Sequence, residues 1–431
     1  MGPRTVPRGR LTGVSPVSPA AVTSSAGARA ALCVARQPIL DTQDRVFGYE
    51  LLYRAAPGDT ACTADGDLAG ARVLIDAVLD IGLDTLTAGR PAFINLTHTL
   101  LVGEGSTLVP PGAAVLEIRE DVSVDADVVK KVRDLHAGGF RLALDDFVPG
   151  SDAEALMPYV EFVKLDVLAL PEAELRAEAR RLKARGVTLV AEKVETREAY
   201  ERLRAAGYDL FQGYYFSRPV IHQGAALPAR HAAYLNLLAE LNRPDITVGE
   251  LETLVKQDAL LSLRVLQCVN SAAFGIRREV KSIREALVLL GIAPIRQWAS
   301  VWCLAGLNTG NAAELATLAL LRARSCEALG EGLQGVEHAE LFLVGLCSLL
   351  DVMLHRSMSD AVRYLPLSGG AQRALLGDEN RMRSVLDAVI AYEAGEWDSA
   401  SGAASKAGAE ASRLPDAYAS ALRWARQLQQ V

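Results

Sequence analysis

The 431-residue chain has no CxxC pair, no apolar run approaching the length of a membrane span, and no compact apolar segment near its start. Its six cysteines (Cys33, Cys62, Cys268, Cys303, Cys326 and Cys347) are scattered, and four of them lie in helical apolar patterns. Zinc sites and disulfide frameworks need regular cysteine spacing, so buried thiols in a reducing compartment are expected instead. A transmembrane helix needs about 20 consecutive apolar residues and a secretory signal needs an apolar core. Neither is expected, and the chain reads as cytoplasmic. Positive charge is also in short supply. The balance of 45 Lys and Arg against 52 Asp and Glu leaves a formal charge of −7. That argues against nonspecific binding to a phosphate backbone, and no DNA partner is expected. Residues 1–31 are the exception, with Arg4, Arg8, Arg10 and Arg29, four prolines and no acidic residue. Rich in Ser, Ala and Gly, they read as a disordered basic tail.

What the chain does have is a series of short apolar runs, each carrying a polar residue at or near its end. They are 47–52, 92–95, 114–117, 141–146, 162–166, 187–192 and 210–212. Helix-like stretches such as 125–137 and 172–184 separate most of them. Buried parallel strands read as continuous apolar runs, and alternation with helices implies a barrel or a doubly wound sheet. In a barrel the C-terminal strand ends converge on one face, where such folds keep their chemistry. Glu50, Asn95, Glu117, Asp145, Asp146, Lys164 and Glu192 would then share one mouth. Clustered carboxylates repel unless a cation neutralises them, which makes this a divalent-metal site. A lone carboxylate after a strand is usually a cap or a solvated loop residue. Repetition on successive strands is what argues otherwise.

The same motifs carry a family resemblance. Glu50-Leu51-Leu52 with Arg54, Asn95, Glu117 with Glu120, Asp145-Asp146-Phe147, Lys164-Leu165-Asp166, Glu192-Lys193-Val194-Glu195 and Gln212-Gly213-Tyr214 resemble, in order and spacing, the EAL domains of cyclic di-GMP signalling. The resemblance implies a modified TIM-like (β/α)8 barrel over 32–220 with one reversed strand, entered through a hairpin at 35–52. It implies Mg²⁺ or Mn²⁺ held by Glu50, Asn95, Glu117, Asp145 and Asp146. Lys164 and Glu192 would be catalytic, Arg54 and Gln212 substrate-binding, and Glu120 would steady the loop after Asp146. Cyclic di-GMP is the implied ligand, and the loop after Asp146 couples substrate to a dimer partner in the family, so a homodimer is allowed for.

Three positions depart from the family pattern. Asp145-Asp146-Phe147 is followed by Val148-Pro149-Gly150, where a Gly-Thr-Gly loop is usual. Valine cannot easily adopt glycine's backbone angles, and proline removes an amide donor. Arg119 replaces a small hydroxyl residue and Lys193 replaces a glycine. Side chains alternate along a strand, so Arg119 is expected to share the face of Glu117 and pair with Glu117 or Asp145 if the strand continues that far. Both residues are read as competitors for metal, Arg119 the stronger, which would leave metal weakly held or absent.

After residue 220 the pattern turns helical. A linker is expected at 221–227, with helices near 228–241, 248–257, 259–270, 283–290, 294–304, 313–329, 339–355, 381–394 and 415–429. Leu254 to Asp258, Val269-Asn270-Ser271-Ala272-Ala273-Phe274-Gly275 and Ser282 to Leu287 resemble the HDOD domain, a relative of metal-dependent HD phosphohydrolases. An HD enzyme would carry His-Asp where this chain has Ser348-Leu349, and the dipeptide occurs nowhere. The all-α region 228–431 is therefore expected to be a protein-interaction module. The expected whole is a cyclic di-GMP signalling protein whose barrel binds and at most weakly hydrolyses the nucleotide. A fully active metal-dependent phosphodiesterase and a nucleotide-independent scaffold remain the alternatives.

Overall fold

Eight strands close into a barrel in chain order. They are β1 (Cys33–Asp41), β2 (Val46–Arg54), β3 (Ala92–Leu96), β4 (Ala114–Ile118), β5 (Arg141–Leu144), β6 (Phe162–Asp166), β7 (Thr188–Glu192) and β8 (Leu210–Phe211). The structure, a computed structural model, describes residues 33–54, 81–103, 110–217, 229–243, 245–270, 280–306, 312–365 and 367–429. The expected tail (1–31) and linker (221–227) lie outside the described residues. Strand β1 runs antiparallel to both β2 and β8, while β2 to β8 pair parallel. The reversed strand is thus β1. Its hairpin turns where Asp41 Oδ1 accepts from the backbone N–H groups of Gln43 (2.8 Å) and Arg45 (2.9 Å), with Asp44 in the left-handed region at φ 59°.

Strand alternation divides the barrel into an outer and an inner set of side chains. Outward-facing Leu116, Leu144, Val163 and Leu189 are buried against Val128 and Val132 of the Ala126–Ala137 helix, Leu175 and Ala179 of Glu172–Lys183, and Tyr200 of Arg197–Ala206. These helices start where the sequence supplies caps. Asp125 accepts from Val128 N and Thr196 from Ala199 N. Inside, Ile39, Phe93, Val115, Ala143, Phe162, Val190 and Leu210 form one apolar layer, with Phe47 packed on it. A register shift beside Ile39 places Gly48 opposite that residue. A Cβ on Gly48 would lie 2.7 Å from Pro91 O and 3.0 Å from the Phe93 ring. Only glycine fits that close approach.

The helical half covers the outer face of β1 to β3. Val34, Leu51 and Ile94 belong to the same buried cluster as Leu386, Val389, Tyr418 and Leu422. Val34 N donates to Tyr392 Oη at 3.1 Å. Buried Arg36 of β1 stacks on the Tyr49 ring, and Tyr49 Oη donates to Glu314 Oε2 at 2.7 Å. The barrel and the helices therefore share one core.

Most expected helices are present, including Val248–Gln257 and Ile283–Leu290. The expected helix at 339–355 is broken into His338–Cys347 and Leu350–Leu354. Ser348 Oγ donates back to Gly345 O at 2.7 Å, and Leu349 leaves helical geometry at φ −118°, ψ 14°. Gly345 has a packing reason, since its Cβ would sit 2.4 Å from Arg322 O on the neighbouring helix Ala312–Leu329. Ser282 caps Ile283–Leu290, but the Glu285 carboxylate accepts from Lys281 N rather than from Ser282. A complete capping box lies at Thr247 and Glu250.

Candidate metal and ligand site

Two residues toward the C-terminal end from the apolar inner layer, the same inward positions turn polar. Asn95 follows Phe93, Glu117 follows Val115, Asp145 follows Ala143, and Lys164 follows Phe162. Glu192 follows Val190 and Gln212 follows Leu210. In the hairpin, Glu50 follows Gly48 and is paired with Gln37 of reversed β1. Each strand, or in β5 and β8 the residue directly after it, contributes one member to this polar ring, and the apolar layer closes its floor.

Lys164 is the hub. Its Nζ, fully buried, lies 2.7 Å from Asp145 Oδ1, 2.9 Å from Glu117 Oε1, 2.9 Å from Glu192 Oε1 and 3.2 Å from Glu50 Oε2. Amides complete the shell. Asn95 Nδ2 and Gln212 Nε2 each donate to Glu50 at 2.7 Å, and Gln212 Nε2 also reaches Gln37 Oε1 at 3.0 Å. Tyr53 Oη donates to Asn95 O at 2.6 Å and fixes the rim of β3.

One ammonium does not balance four carboxylates. Burial and the neighbouring acids push Glu117 well above the ordinary carboxyl range against the pull of Lys164. Burial likewise raises Asp145 and pushes Glu192 up to about 8. Glu50 goes the other way. Burial opposes its ionisation, but Lys164, Gln212 and Asn95 together hold it below the ordinary range. For Lys164, burial is outweighed by the four acids, which keep it charged.

Around the ring, the charged residues differ from the sequence expectation. Strand β4 ends at Ile118, so alternation no longer directs Arg119. Its guanidinium turns out to Asp121, with Nη2–Oδ2 at 2.9 Å. Lys193 does turn in. At φ 58° its backbone is left-handed, and its Nζ lies 2.6 Å from Asp166 Oδ2 and 3.5 Å from Asp146 Oδ2. Asp146 is itself left-handed at φ 40°. Glu120 is exposed and lines a cavity of about 280 Å³ with Asp145, Asp146, Phe147 and Val148. Arg54, at the end of β2, is held by Asp398 of the helical half at 3.1 Å. Gln37 and Tyr53 were not singled out in the sequence. The signal for Gln37 was its place in the hairpin opposite Glu50.

Among the described residues no three His, Cys, Asp or Glu side chains are drawn together as a ready metal cage, because Lys164 Nζ stands between the acids. The donor set nevertheless fits a hard cation. Asn95 Oδ1, Glu117 Oε2, Asp146 Oδ1, Glu192 Oε2 and Gln212 Oε1 are buried oxygens with no hydrogen-bond partner. Buried oxygens are normally paired, and carboxylates and amide oxygens suit Mg²⁺ or Mn²⁺.

An EAL domain model matches residues 23–219 and an HDOD domain model matches 227–367. Uncharacterized protein YuxH of Bacillus subtilis is 33% identical over 92% of this chain and 98% of its own length. The chain belongs to the EAL–HDOD family. The cyclic di-GMP phosphodiesterase CdgJ of Vibrio cholerae is 33% identical over 84% of this chain and 85% of its own. The solved PaMucR phosphodiesterase in complex with c-di-GMP aligns with 44% of the chain and 96% of its own at 24% identity and TM-score 0.38. The EAL match spans every strand of the barrel, and with it the whole polar ring.

The helical half has a different character. Asn270 is a structural residue, its amide bonding Val280 O at 2.8 Å and Val280 N at 2.7 Å. Trp298 and Trp302 are both buried in the core. No helix among the described residues is long and apolar enough to cross a membrane.

Proposed function

We propose that the barrel mouth binds cyclic di-GMP together with a divalent cation and hydrolyses it slowly at most, while the helical half engages a protein partner. The observation that carries this reading is the polar ring, in which four carboxylates face one buried ammonium and buried oxygens lack partners. CdgJ, of matching length, acts on the same ligand by name. Glu50, Asn95, Glu117 and Asp145 would hold one ion, and Asp146 with Asp145 would help hold another. Such ions, when bound, activate water and neutralise phosphoryl oxygens. Lys164 gathers the ring, Glu192 orients Lys164, and Gln212 with Gln37 steadies Glu50. Arg54 offers a planar guanidinium to a ligand phosphate.

The reason for slow turnover is Lys193. Its ammonium already occupies the space between Asp146 and Asp166, and a tethered cation there opposes a second ion by like-charge repulsion. In the helical half, Ser348-Leu349 supplies no metal ligands, and exposed Leu263, Val288 and Leu289 give it apolar surface suited to a partner. Among the described residues, five buried free thiols suit a reducing, cytoplasmic setting.

Calorimetry with cyclic di-GMP, with and without Mg²⁺, tests the reading alongside a turnover assay. Magnesium-dependent binding with turnover below ~1 s⁻¹ is expected. Turnover at or above that rate identifies a competent phosphodiesterase, and absence of binding identifies a scaffold.

A further inference from the structure

The turn that follows the helix Arg381–Glu393 lies on the rim of the barrel mouth. Three contacts seat it there. Gln37 Nε2, from the polar ring, donates to Ala394 O at 3.4 Å. Gly395 is left-handed at φ 75°, and a Cβ on it would lie 2.7 Å from Leu52 Cδ1 of β2. Arg54 Nη1 donates to Asp398 Oδ1 at 3.1 Å, in the first turn of the next helix, Trp397–Ala407. Behind the turn, Tyr392 Oη accepts from Val34 N of β1 and its ring packs on Trp397 at 4.9 Å.

A chain of hydrogen bonds therefore runs from the ring into the helical half. Glu50 accepts from Gln212, Gln212 donates to Gln37, and Gln37 donates to Ala394 O. Beside it stands the one guanidinium on β2 that faces a ligand phosphate in the reading above. That guanidinium is engaged by a carboxylate of the other half.

We infer that Asp398 is a built-in competitor for the Arg54 phosphate contact, so that ligand binding at the mouth releases the 394–398 turn and thereby signals to the helical half. The inference rests on Arg54 being the ligand contact proposed above. Its physical logic is the mismatch in strength between two partners for one guanidinium. Asp398 is 88% exposed and Arg54 27%, and an ion pair this open to solvent is weak. A phosphate accepts two parallel N–H bonds from arginine and is the stronger partner. The pair can hold the turn in the absence of ligand and yield to ligand. Linkage is reciprocal, so whatever loosens the turn must tighten ligand binding by the same factor.

The test is calorimetric titration of the full chain with cyclic di-GMP in Mg²⁺, using Asp398→Asn, Arg54→Ala and the double variant. Asp398→Asn is expected to tighten binding roughly threefold, within the range an exposed pair allows. Arg54→Ala is expected to weaken it more than tenfold, and Asp398→Asn is expected to add nothing on that background. Hydrogen exchange of amides 394–398 should quicken when ligand binds the unmodified chain. Lost affinity in Arg54→Ala with no gain in Asp398→Asn overturns the competitor and leaves the ligand reading standing. Undiminished affinity in Arg54→Ala overturns both.

Discussion

At the barrel mouth one lysine faces four carboxylates, whereas at the junction of barrel and helices two arginines face two glutamates. The junction set is buried too. Arg36 Nη1 donates to Leu86 O at 2.6 Å and stacks on Tyr49, which donates to Glu314. Arg322 Nε donates to Glu393 Oε2 at 2.8 Å. Charge there is equal in sign count, and of the two glutamates only Glu393 keeps a buried oxygen, Oε1, without a partner. The mouth is in excess by three negative charges when all are ionised (four acids, one lysine). Burying charge is costly in both places. Neutral bookkeeping lets the junction serve as architecture, while the imbalance at the mouth must be met by protons or by a cation from outside. The contrast separates a structural network from a ligand site built of the same residue types.

The contrast breaks most sharply at Lys164. Replacing it with Met leaves four buried acids without their cation, and a loss of ~4 kcal/mol in urea unfolding is expected. Millimolar Mg²⁺ should recover part of that loss, more than it adds to the unmodified chain. Failure of Mg²⁺ to help would mean that the ring does not take a cation.

At the junction, Glu393→Gln strands Arg322 and is expected to cost ~3 kcal/mol, with no recovery by Mg²⁺. A pH signature should accompany it. Burial raises the Glu393 carboxyl above its ordinary 4.5, with Arg322 opposing. A folded value above the unfolded one means that the folded state binds the proton more tightly. This share of stability is therefore full below the unfolded value and lost as pH rises through the folded one. Stability of Glu393→Gln measured from pH 4 upward should lack that decline.

Two smaller changes compare the rim cations. Lys193→Gly removes the ammonium between Asp146 and Asp166 and frees a left-handed backbone position of its side chain. Roughly fivefold tighter Mn²⁺ binding by paramagnetic titration is expected, limited because the lysine is half exposed. Arg119→Thr should change Mn²⁺ affinity less than twofold, since its charge is spent on Asp121. An ordering with Arg119 ahead of Lys193 would contradict the geometry.

The strands and the polar ring were legible from two short-range rules, while the choice of a barrel over a doubly wound sheet came from the family resemblance. Apolar runs marked the strands, and polar residues closing them marked the ring of Glu50, Asn95, Glu117, Asp145, Lys164 and Glu192. What the sequence hid was set by backbone geometry past the strand ends. The reading of Arg119 was tied to the strand continuing to that residue, and β4 stops at Ile118. Alternation left Lys193 open because a left-handed turn residue does not obey it. Long-range pairings were equally silent. Nothing local to Arg54 points to Asp398, 344 residues away, and nothing near Tyr49 points to Glu314. The short helices Gly369–Leu376 and Trp397–Ala407 were also missed. Seven of the eleven residues in the second are alanine or serine, and its apolar face is too small to show a period.

The shared core behind β1 to β3 has a practical consequence for anyone cutting this gene. The family boundary near residue 220 divides two sequence signatures, but Val34, Leu51 and Ile94 on one side pack with Leu386, Val389 and Leu422 on the other. A truncated barrel would present that face to water as an adhesive surface, and the freed helices would present its complement. Expressed apart, the halves should aggregate or find each other. Expressed together from two plasmids, they should reassemble into one particle, so fragment complementation can serve where domain dissection fails.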